Sequence, residues 1–174
     1  LWLPYQFLGL PFLGTLQTGL LYPLNFIYFL LPAPFVFNFN VILHYALAAF
    51  FTFLYARLLG VRVFPAFIAG LVFGFSGFLM AHKGHVSMVN AAVWLPLLLY
   101  LYEKIKQELR LKHAAFASLV VAVQVFAGHY QICVYTYIVL GLFVLYYLRG
   151  IAKNERVRFL LFTVGPIFLG SLIA

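Results

Sequence analysis

From Phe35 onward, apolar runs close to the length of a bilayer crossing follow one another with only short polar turns between them. Runs that are apolar on every face leave no side for water, so a soluble fold cannot use them. The composition agrees. Hydrophobic residues are 66% of the chain and charged residues 8%, with a mean hydropathy of +1.07. That leaves too little polar surface to cover a soluble fold of 174 residues. Disorder is excluded too, because disordered chains lack such apolar and aromatic content. The fold class implied is all-α, a polytopic transmembrane helix bundle.

The runs predict about five full spans plus a truncated sixth. They are residues 35–59, 65–81, 86–102, a short fourth at 113–127, and 131–148; the sixth begins near Phe159. Residues 1–34 are apolar but carry Pro4, Gly9, Pro11, Gly14, Gly19, Pro23, Pro32 and Pro34. Proline blocks helix continuation, and lipid rejects irregular backbone that nothing covers. This stretch reads as an extracytoplasmic interfacial or re-entrant segment with a short helix around residues 24–31, and 35–174 as the bundle. The chain starts without methionine or a signal-peptide pattern and stops within an apolar run, so it reads as an internal piece of a longer protein.

A net charge of +8 and a pI near 9.8 would suggest nucleic acid in a soluble protein. Here the basic residues sit in loops between spans, so no nucleic-acid partner is expected. Arg57, Arg62, Lys104, Lys106, Arg110, Lys112, Arg149, Lys153, Arg156 and Arg158 all fall in alternate loops, leaving Lys83 on the other side. The positive-inside rule makes the crowded side cytoplasmic. The lone Cys133 lies inside an apolar run, so the chain holds neither a disulfide framework nor a cysteine zinc site.

Two outer turns then stand out, Ala81-His82-Lys83-Gly84-His85-Val86-Ser87 and Ala127-Gly128-His129-Tyr130-Gln131. They bring His82, Lys83, His85, His129 and Gln131 to one membrane depth, near Ser87 and Asn90. The first segment adds Gln6, Gln17, Thr18, Tyr22 and Asn25 on that face. Ionisable groups near lipid normally face a wet cavity or a partner, which predicts a polar pocket capped by residues 1–34. The bland alternative is that both Gly-His pairs are helix starts with capping histidines. His44 reads as a buried hydrogen-bonding residue, His113 as solvated, and Trp94 and Pro96 as packing and a kink. A three-histidine zinc site is chemically sensible but lacks a carboxylate to orient the ligands. An anion such as phosphate fits the set better.

Other strings carry a family resemblance: Pro4-Tyr5-Gln6-Phe7, Gln17-Thr18-Gly19, Tyr22-Pro23-Leu24-Asn25, Ala56-Arg57-Leu58-Leu59-Gly60, Phe73-Gly74-Phe75-Ser76-Gly77, Trp94-Leu95-Pro96-Leu97 and Ala127-Gly128-His129-Tyr130-Gln131. In order and spacing they resemble the bacterial YfhO-like membrane proteins, with Leu3 and Leu16 departing where asparagine and proline are usual. That family is similar in architecture to multi-span glycosyltransferases that use lipid-linked donors. The resemblance implies a multi-pass protein of the bacterial plasma membrane that takes part in moving a sugar from polyprenyl phosphate to a cell-envelope glycan or teichoic acid. Membrane lipid, the donor and the acceptor glycan are the partners it implies. The substrate- or phosphate-binding candidates are His82, Lys83, His85, His129, Gln131, Gln17, Tyr22 and Asn25. Glycosyl transfer calls for a carboxylate base, and the chain's only acids, Glu103, Glu108 and Glu155, lie in the basic loops. The catalytic carboxylate is therefore expected in the longer protein, where a divalent metal also stays open; no cofactor is assigned to this chain. A multi-pass transporter or lipid flippase, and a non-catalytic membrane scaffold, are the competing readings.

Overall fold

A computed structural model describes residues 2, 3, 5, 9–11 and 18–174. A two-residue antiparallel ladder joins β1 (Trp2–Leu3) to β2 (Leu10–Pro11). A 3-10 helix follows at Pro23–Phe29, where a short helix was expected. Everything after it is α-helical bundle.

Pro34 sits in the first turn of α1 (Ala33–Leu58), where its missing N–H costs nothing. The 26 residues of α1 extend about 39 Å at 1.5 Å per residue. That exceeds the hydrocarbon core of about 30 Å. Val36, Asn40, His44, Ala48 and Phe51 are its buried residues, one turn apart along a single face. Gly70 and Gly74 of α2 (Val63–Gly74) let that helix lie directly on α1. A Cβ added at Gly70 would stand 2.5 Å from the Ala49 carbonyl oxygen, and one at Gly74 would stand 3.0 Å from Ala49 Cβ. Small residues one turn apart are the usual means of close helix contact in lipid.

The second span is broken at Phe75–Ser76 and resumes as α3 (Gly77–Ala81), held to α1 by the Tyr45 hydroxyl donating to the Leu79 carbonyl at 2.7 Å. The third is split into α4 (Val86–Ala92) and α5 (Leu95–Glu108). Pro96 in the first turn of α5 has no N–H for the preceding turn. At this break the Gln124 amide reaches across, donating to the Ala91 carbonyl at 2.8 Å and to Thr136 Oγ1 at 2.9 Å.

The helix α6 (Leu111–Phe126) has 16 residues; it spans about 24 Å, less than the hydrocarbon thickness. Its buried Ala114, Ala117, Val121 and Gln124 lie in the protein interior. The last two helices are α7 (Tyr130–Leu148) and α8 (Arg156–Ile173). The sixth run thus starts three residues earlier than expected, and its 18 residues qualify as a span. In α8, Gly170 packs on α6 so closely that a Cβ would meet the Ser118 carbonyl at 2.5 Å. Pro166 lies within α8, and the Tyr102 hydroxyl donates to the Thr163 carbonyl just before it. Five of the six runs are long and apolar enough to cross a membrane, and α6 is the short one. The chain is an all-α polytopic membrane protein whose main core joins Leu98, Tyr102 and Ile105 of α5 to Val121, Leu140 and Phe159.

Alternating helices sort the charges by end. At one end Lys106 pairs with Glu103 at 2.6 Å and stands 4.0 Å over the Tyr147 ring, while Glu108 meets Lys104, Arg110 and His113. This is the basic end. The opposite end holds the turns at 82–85 and 127–129 and is the histidine end.

Candidate functional site

At the histidine end, residues 18–25 form a roof over the junction of the 82–85 and 127–129 turns. Its anchor is Tyr22, fully buried against Ala91, Ala127 and Ile132. The His44 ring fixes the hydrogen-bond directions there. Nδ1 lies 2.7 Å from the Asn40 carbonyl, which only accepts, so Nδ1 carries the proton and Nε2 is left as the acceptor. Tyr22 therefore donates to Nε2 at 2.7 Å and accepts from Trp94 Nε1 at 3.1 Å. Burial pushes the Tyr22 hydroxyl pKa well above its ordinary value. Asn40 Nδ2 donates to Asn25 Oδ1 at 3.1 Å, and Asn25 Nδ2 closes the roof by donating to the Gly19 carbonyl at 2.9 Å.

Beneath this roof is an open cavity of about 370 Å³. Thr18, Gly19 and Asn25 form one wall, Gly84, His85, Ser87 and Asn90 a second, and Ala127 and His129 the third. Of the first segment, Thr18, Gly19 and Asn25 contribute to the cavity's lining. Ser87 and Asn90 are three residues apart on α4, which puts both on the face turned to it. No carboxylate lines the cavity among the described residues.

His85 and His129 are the N-cap residues of α4 and α7, but neither side chain makes a capping bond. Their carbonyls start the helices instead: Met88 N–H donates to His85 O at 2.9 Å and Ile132 N–H to His129 O at 3.1 Å. Gly128, at φ +80°, supplies the left-handed backbone that ends α6 just before His129. The imidazoles are thus not spent on capping. Nδ1 of His129 is buried and has no hydrogen-bond partner among the described residues, and the same holds for Oδ1 of Asn90. Burial lowers the His129 pKa below its usual value, and the neighbouring His85 and His82 lower it further.

The eight candidates separate. His85, His129 and Asn25 line the cavity together. His82 lies beside His85, ring centroids 5.7 Å apart and planes tilted by 56°, but its Nδ1 is bound to the Phe78 carbonyl at 2.7 Å and it does not line the cavity. Lys83 faces a different groove, against α1. Gln131 is exposed and donates to the Tyr135 hydroxyl at 2.6 Å, away from the cavity. Tyr22 is a buried roof anchor, not a wall residue. Gln17 and Gln6 lie outside the described residues. Ser87, Asn90 and Thr18 join the site, their signal in the sequence being helical spacing and adjacency to the candidates. Among the described residues no three His, Cys, Asp or Glu side chains are grouped to hold a metal ion.

Compared with family models, curated proteins and solved structures, the chain matches none.

Proposed function

We propose that this chain forms the donor-binding part of a membrane glycosyltransferase, holding the headgroup of a polyprenyl-phosphate sugar at the histidine end. The observation that carries the reading is the cavity itself: two imidazoles that make no capping bond and a buried asparagine oxygen without a partner among the described residues, under a pinned roof. Imidazole suits a phosphate, since it donates hydrogen bonds when neutral and adds charge when protonated. The start of α7 at His129 adds the positive end of a 19-residue helix. Asn90 Oδ1 asks for a donor, which a sugar hydroxyl supplies and a phosphate diester does not. Among the described residues no carboxylate lines the cavity to repel the anion.

The transporter reading draws less support. His44 is engaged at both ring nitrogens, and the Gln124 amide nitrogen is tied to Ala91 and Thr136, which leaves Gln124 Oε1 as the unpartnered atom of the pair among the described residues.

The test is equilibrium binding in nanodiscs of neutral lipid, titrating a polyprenyl-phosphate sugar. Saturable binding that weakens by about tenfold or more in His85→Ala/His129→Ala supports the reading. Binding indifferent to that double substitution overturns it.

A further inference from the structure

Resting on that reading, we infer that the lipid-linked phosphate reaches the cavity over Gly84, with its chain lying in a groove on α1 and Lys83 holding its phosphate from the groove side. Lys83 does not line the histidine cavity. It lines a separate groove of about 490 Å³ together with Phe37, Asn38, Val41 and Ile42 of α1 and with Gly84. Those four positions share one helix face by their spacing. It is the face away from the core, since the buried residues are Val36, Asn40 and His44, and Phe37 and Ile42 are exposed.

Gly84 borders both spaces. The 82–85 turn therefore separates the two spaces, with Lys83 lining the groove on one side and His85 the cavity on the other. Lys83 makes no ion pair among the described residues, and all three glutamates lie at the basic end. A mostly apolar groove at the start of a spanning helix, lined also by a lysine that makes no ion pair among the described residues, complements a long chain that ends in phosphate. Free phosphate leaves the apolar part unfilled, so the occupant is the lipid-linked form.

At residue 84 the turn carries no side chain. A Cβ added there would meet nothing within 4 Å, and Gly84 is not among the residues at positive φ. Neither packing nor backbone conformation requires glycine at this position. A large side chain placed there projects into the space between the groove and the cavity.

The experiment compares two probes in neutral-lipid nanodiscs, a long-chain polyprenyl phosphate and inorganic phosphate, and reads the ratio of their affinities. Gly84→Phe, Lys83→Ala and Ile42→Trp should each lower the preference for the long-chain probe by about tenfold. Gly77→Phe, equally free of neighbours and outside both spaces, should leave it unchanged, with circular dichroism confirming folding throughout. Ile42 is 69% exposed, so its substitution tests the groove without disturbing the core should Gly84→Phe misfold. A preference held within about twofold in both Ile42→Trp and Lys83→Ala overturns the groove, even where His85→Ala/His129→Ala still abolish binding. In that case the cavity reading stands alone. Binding of both probes that ignores the histidines overturns the cavity reading and this inference together.

Discussion

The Tyr22 hydroxyl donates to Nε2 of His44 at 2.7 Å, joining residues 18–25 to the interior of α1. A chain of directed bonds runs from Trp94 through Tyr22 and His44 to the Asn40 carbonyl. It links three separate parts of the sequence and leaves neither ring nitrogen of His44 unpaired. The roof of the cavity is therefore held by the bundle itself, and the cavity's shape depends on a residue that does not line it.

Tyr22→Phe keeps the ring but leaves His44 Nε2 and Trp94 Nε1 without their partner. An orphaned buried polar group costs about 1–3 kcal/mol. Thermal unfolding in detergent should show a lowered Tm, and headgroup binding should weaken because the Gly19–Asn25 roof loosens. Nitrogen-15 NMR of the His44 ring should report the Nδ1-protonated tautomer in the parent protein. An Nε2-protonated ring would contradict the assigned bond directions.

The depressed pKa of His129 sets a pH dependence of definite sign. Its folded-state pKa lies below the unfolded value near 6.5. Between those two values the unfolded chain holds more protons, so stability falls as pH drops from about 6.5 toward the folded pKa. An anion in the cavity favours the protonated ring and acts the opposite way on binding. Affinity for the lipid-linked phosphate should rise as pH is lowered toward the folded-state pKa of His129, and His129→Gln should flatten most of that slope.

Helix contact through glycine should be sharply position-dependent. Gly70→Val and Gly170→Val force side chains against the Ala49 and Ser118 carbonyls, where even a Cβ comes within 2.5 Å. Each should lower thermal stability by roughly 1–3 kcal/mol, the range for overpacking. Gly77→Ala, with open space around it, should leave the melting curve in place.

The charge asymmetry predicts sidedness. In a Cys133→Ala background, single cysteines at Lys83 and Tyr130 should react with a membrane-impermeant thiol reagent in intact cells. Cysteines at Arg62, Arg110 and Lys153 should be protected. Labelling at 62 or 153 would invert the orientation.

Binding should occur without turnover. Glu103, Glu108 and Glu155 all belong to the basic end, roughly a hydrocarbon thickness of 30 Å from the cavity. Supplied with a polyprenyl-phosphate sugar and an acceptor, the chain should bind the donor and form no glycan. Product that disappears in His129→Ala would instead identify an imidazole as the general base.

Much of this was legible before any tertiary contact. Apolar runs of spanning length leave a chain only the helix, which pairs its backbone internally, and the alternation of basic loops divides the bundle into two ends. The polar turns at 82–85 and 127–129 followed from the same alternation. Individual roles did not. Tyr22 and Asn25 are equally polar neighbours in the sequence, yet Tyr22 turns into the bundle to His44 while Asn25 stays at the cavity wall. Lys83 and His85 are two residues apart, yet Gly84 sets them over different spaces. The period of apolar residues determines which segments are helices and roughly where each ends. Which way a polar side chain points from a turn depends on partners distant in the chain, Trp94 for Tyr22 and the α1 face for Lys83, and only packing brings those together.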